Sequence, residues 1–171
     1  TGPGEGATLL AMLEGGVEGD PPGVLRIYEF DPARAAWTGR RWQYRLQDPA
    51  HLASELARLD ADGHYLVLER DELQGDAARF KQVLGFALGR AAQDDAAAPA
   101  AATGRAVVDL LRIPDPRGVA GLGSPFRFPF WTPECLVVLD PRTLLVVADN
   151  NFPATGGRST TDPDPTEWLW I

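Results

Sequence analysis

A single cysteine, Cys135, excludes an intrachain disulfide and any multi-cysteine zinc site. Its apolar neighbours Leu136, Val137 and Val138 suit a buried, inert thiol better than a nucleophile. Histidine is almost as scarce. His51 and His64 are the only two, and none of Ser54, Ser124 and Ser159 sits in a Gly-x-Ser-x-Gly elbow, so a Ser-His-Asp enzyme is a poor reading. The sole lysine is Lys81, and no Gly-Lys-Ser phosphate loop is present. No apolar run approaches the roughly 20 residues of a membrane-spanning helix. Residues 1–8 carry neither a basic stretch nor an apolar one, so no signal peptide is visible, and the expected start is that of a mature or cleaved fragment. Positive charge is also short. Sixteen basic against 24 acidic residues leave a net charge of -8, which repels a nucleic-acid backbone and favours cations. An anionic substrate would need local positive charge or a bridging metal.

Turn formers, by contrast, are abundant. Fifteen prolines and 18 glycines are spread between short apolar runs, the pattern of an all-β protein rich in turns. Strands are expected at residues 8–13, 24–30, 40–46, 64–69, 81–88, 106–113, 134–139, 144–148 and 167–171. Residues 52–59 read equally as strand or as helix, because alanine and leucine dominate there. Residues 91–104, rich in alanine and punctuated by Asp94, Asp95, Pro99 and Gly104, read as a flexible surface insert.

The strand groups repeat. Residues 65–71 overlay residues 144–150, and residues 9–15 follow the same pattern of an apolar strand closing on charged or amide groups. Repeated short antiparallel strands are the sign of a β-propeller, here about three blades of a larger ring filling one domain over residues 1–171. The remaining blades would come from a preceding segment or a partner chain.

Candidate chemistry gathers where these strands end. Asp149, Asn150 and Asn151 follow an apolar run, and their oxygens suit calcium, a hard cation with six to eight oxygen ligands. The same residues also suit a tight turn, since Asp and Asn tolerate left-handed backbone and cap their own loops. Glu69, Arg70 and Asp71 hold the equivalent place in the preceding repeat, and Glu14 in the one before. Convergence of these groups on one face of a channel would make a site; a ring of mutual ion pairs with Arg70 and Arg158 is the other reading. In a hydrolytic site, calcium would polarise the substrate, Arg70 or Arg158 would clamp an anion, and Glu134 or Glu69 would act as general base. Trp37, Trp42, Phe126, Phe128, Phe130, Trp131, Trp168 and Trp170 read mainly as core, with sugar stacking as the other use of such rings.

Residues 128–153, with Gly156, Gly157, Arg158 and residues 165–170, resemble the C-terminal part of the phytase-like family described by an esterase-like activity of phytase. Residues 12–15, 25–31 and 65–71, followed by Gln74 and Gly75, resemble earlier blocks of that family in the same order. The resemblance implies a secreted or periplasmic propeller that binds calcium and hydrolyses phosphoesters or other esters. The chain departs from the family pattern after two glutamates: Gly15 follows Glu14 where arginine is usual, and Cys135 follows Glu134 where glycine or serine is usual. The first departure removes part of an expected anion clamp. A non-catalytic propeller, with its acidic rim holding structural calcium or ion pairs, is the rival expectation.

Overall fold

The computed structural model describes residues 7–92 and 100–171. The turn-like start at residues 1–6 and the centre of the alanine-rich insert, 93–99, lie outside the described residues. Three sheets, antiparallel except for one short parallel pairing, account for the fold, and no α-helix occurs among the described residues.

The first sheet runs β1 (Leu9–Met12), β2 (Val24–Asp31), β3 (Ala36–Arg45). The second contains β4 (Leu52–Arg58), β5 (His64–Arg70) and β6 (Lys81–Ala87), and the short strand β7 (Ala102–Thr103) then returns to the first sheet, pairing parallel with β3. The second sheet ends on β8 (Arg105–Asp109), and the third is β9 (Thr132–Asp140), β10 (Thr143–Asp149) and β11 (Trp168–Trp170). Strands β1, β4 and β9 lie at corresponding edges of their sheets, with β4 packed on both β1 and β9. This is an all-β, partial propeller of three blades.

Alternation along the strands fixes which face of each blade meets its neighbour. Leu25, Ile27, Trp42 and Tyr44 of the first blade bury against Val67, Leu84 and Phe86 of the second. The opposite face of the second blade, with Leu66, Leu68 and Val83, packs on Leu136, Val146 and Ala148 of the third, and Phe126, Phe128 and Phe130 complete this second core. Residues 52–58 settle as strand, because alternate positions there touch the first and third blades.

Two outward faces have no neighbour among the described residues. On the first blade, Leu9 stands opposite Phe30 and Ala11 opposite Tyr28, with the exposed Trp37 packed edge-on against both rings. On the third, Val137, Leu145 and Trp170 form one row, and Cys135, Val147 and Trp168 the next. Trp168 and Trp170 are 55% and 59% exposed and stack on each other.

The expected strand at residues 106–113 ends at Asp109, whose carboxylate turns the chain by accepting from Leu111 N–H at 2.9 Å. The alanine-rich insert is anchored at both ends. Ala92 bridges Arg41, and Ala102 and Thr103 pair with Tyr44 and Arg45.

Candidate functional site

Three strands reach the same rim and stop on charged groups. Glu14 follows β1, Arg70 ends β5, and Asp149 ends β10; Glu134 stands near the start of β9. The backbone joins them, since Ala53 N–H donates to the Glu14 carbonyl at 2.9 Å while Leu52 pairs with Arg70 across the sheet. β1 therefore arrives where β4 departs. The repeat holds at the rim, but its copies differ in place: β1 is an edge strand, whereas β5 and β10 are the second strands of their blades.

Arg70 is the centre of this group. Its guanidinium is buried, with Nε donating to Ser54 Oγ at 2.9 Å and Nη2 to Glu14 Oε1 at 2.8 Å. Nη1 is also buried and has no hydrogen-bond partner. The Glu134 carboxyl is raised above its ordinary range, first by desolvation and then by the negative charge of Asp149, with Arg70 pulling the other way and Glu14 adding repulsion. Glu14, Arg70, Glu134 and Asp149 thus share one electrostatic site.

The other expected site residues are committed elsewhere. Glu69 is fully buried between the first two blades, where it accepts from Tyr44 Oη at 2.9 Å and Gln47 N–H at 2.8 Å and contacts His51 Nδ1 at 2.8 Å. Alternation sends it to the opposite face from Arg70, away from the group at the rim. Asp71 binds the buried Lys81 ammonium at 2.8 Å and accepts from Arg79 N–H and Phe80 N–H. Burial raises the Asp71 carboxyl, but the ammonium and the two amides outweigh it and hold the group below its ordinary value. Arg158 clamps Glu167, donates to the Arg127 carbonyl, and stands over the rings of Phe126 and Phe130 at 5.0 and 5.2 Å. It pins the closing loop instead of clamping an anion.

The stretch 149–151 behaves as a turn. Asp149 Oδ1 accepts from Asn151 N–H at 3.2 Å, Asn150 Oδ1 accepts from Phe152 N–H at 3.1 Å, and Asn151 adopts a left-handed φ of 47°. Asn151 Nδ2 donates to Thr132 Oγ1. Asp71, Asn150 and Asn151 are therefore engaged in protein contacts. Among the described residues no three or more His, Cys, Asp or Glu side chains are disposed to hold a metal ion, and of Glu14, Asp71, Asp149, Asn150 and Asn151 only Glu14 and Asp149 join the group at the rim.

Sequence reasoning passed over Ser54, which fixes Arg70, and His51, which joins the Glu69 network. Period-2 alternation could have placed Ser54 and Arg70 on one face. Cys135 is half-buried, and its thiol is raised by desolvation and by the nearby Glu55. Of the aromatic residues, Trp42, Phe126, Phe128 and Phe130 are core, while Trp37, Trp131, Trp168 and Trp170 are exposed. No helix among the described residues is long and apolar enough to cross a membrane.

Successive four- and three-stranded blades with a polar cluster at a shared rim define a partial β-propeller. The sequence matches the Phytase-like family, described as "Esterase-like activity of phytase", over residues 2–152, and the chain belongs to that family. Comparisons with curated proteins and with solved structures gave no match.

Proposed function

We propose that the chain hydrolyses esters at the rim where Glu14, Arg70, Glu134 and Asp149 meet. The family match makes a hydrolase role the leading class. The observation that carries the site is a buried guanidinium, fixed by Ser54 and Glu14, beside a carboxyl held above its usual range. A fixed donor can stabilise charge developing on an ester oxygen, and a carboxyl that stays protonated to higher pH can donate to a leaving alcohol. Glu134 has the second role. Calcium assistance, secretion and a periplasmic location stay with the family resemblance, and no chemical step here runs through a metal.

The rival is a binding or assembly module, favoured by the apolar free faces of the first and third blades. In either case we propose that further blades, from a preceding segment or a partner chain, cover those faces.

The test is acid release from ethyl acetate by wild type and Glu134→Gln, since an alkoxide is too poor a leaving group to depart unprotonated. General acid-base catalysis contributes about 10²- to 10⁴-fold, so the variant is expected to lose roughly 100-fold or more. Equal rates in both, or a wild type no faster than buffer, would remove the proposal.

A further inference from the structure

Glu14 pairs with Arg70, and Asp149 stands close enough to Glu134 to raise it, so with the Glu134 carboxyl protonated two carboxylates still outweigh one guanidinium at this rim. The acidic cluster alone would be an unremarkable polar surface. A second observation points to a ligand. Arg70 is only 3% exposed, and its buried Nη1 has two N–H groups with no acceptor, a costly omission for a charged group. What the site lacks is thus one neutral acceptor oxygen, whereas a further full anion would be repelled by Glu14 and Asp149.

We infer that the rim takes an uncharged or cationic carboxylic ester, not a phosphomonoester, with its carbonyl oxygen on Arg70 Nη1. The inference rests on the ester-hydrolase reading above. Glu14, whose side chain is 55% exposed, shifts to admit the carbonyl, while Ser54 keeps its bond to Nε and holds the guanidinium in place. Water then adds to the carbonyl carbon as Asp149 takes its proton, and the carbonyl π pair moves onto the oxygen held by Arg70. Collapse reforms the C=O bond and breaks the bond to the leaving oxygen, which takes its proton from Glu134. The products are a carboxylic acid and an alcohol, and proton exchange with solvent restores both carboxyl groups. No oxidant, reductant or metal enters this balance.

The experiment compares kcat/KM for p-nitrophenyl acetate and p-nitrophenyl phosphate, with inorganic phosphate as a competing probe, in wild type and Glu14→Gln. The wild type is expected to prefer the acetate by at least roughly tenfold, since a negative site depletes anions. Millimolar phosphate should not inhibit it, and Glu14→Gln should narrow the preference by removing one negative charge. A preference for the phosphate ester, competitive inhibition by inorganic phosphate, or an unchanged ratio in Glu14→Gln would overturn this inference while leaving ester hydrolysis standing. Turnover of neither ester would overturn both.

Discussion

Asp149 illustrates how one carboxylate serves a backbone and a site together. Its Oδ1 accepts from Asn151 N–H, a bond that an asparagine oxygen can replace, so Asp149→Asn should leave the melting temperature nearly unchanged. The same change removes both the proposed base and the charge that raises Glu134, so activity should fall roughly 100-fold or more and the upper pH limit of what remains should move down. A pH-rate profile checks the second effect and thermal unfolding the first. Lys81 is the opposite case, a residue with structural work only. Its ammonium is fully buried and bonds the Asp71 carboxylate, the Asp71 carbonyl at 2.7 Å and the Trp131 carbonyl at 3.2 Å, tying the second blade to the third. Removing one partner of a buried pair costs about 3–5 kcal/mol, so Lys81→Ala should show a loss of that order in urea unfolding. Because the folded Asp71 carboxyl lies below its ordinary value, its contribution is complete above the unfolded carboxylate range, while burial lowers the Lys81 ammonium and sets the alkaline limit of the pair. The Asp71 contribution fades as pH falls through the depressed folded value.

The strands themselves were legible, because alternation and turn formers are local signals. β2, β5, β9 and β10 fall where the apolar runs place them. The pairing of β7 was not legible, since Ala102 and Thr103 carry no strand pattern of their own and owe their place to Tyr44 and Arg45. Site prediction split for a similar reason. Residues adjacent in sequence point to opposite faces of a strand, so Glu69, Arg70 and Asp71 looked like one group while only Arg70 reaches the rim. Distant partners such as Ser54 and Lys81 decide those directions, and no single stretch of sequence contains them. The insert shows the same limit. Gly104 lies where an added Cβ would come within 2.7 Å of both Leu84 Cβ and Tyr44 Oη. Gly104→Ala should destabilise by about 1–3 kcal/mol through overpacking, measurable by chemical denaturation. A neutral result would show that β6 and Tyr44 can yield at that contact.

At the scale of the whole molecule, three blades bury two interfaces and leave two apolar faces open. Val137, Trp168 and Trp170 on one and Leu9 and Trp37 on the other are exposed, and apolar groups gathered on one face mark a surface that another protein surface covers. The 171-residue chain expressed alone is expected to associate or aggregate. Light scattering coupled to size exclusion measures this directly, and a monodisperse monomer with one cooperative unfolding transition would contradict it.

The bond from Tyr44 to Glu69 crosses from the first blade to the second, and it makes the protein its own optical gauge. Burial, reinforced by the negative Glu69, raises the Tyr44 phenol far above the ordinary value of about 10. In alkaline solution this ring stays protonated for as long as the two blades remain together. Its tyrosinate absorbance should therefore emerge as a delayed step that coincides with loss of the native circular dichroism, reporting the parting of two blades without any added dye.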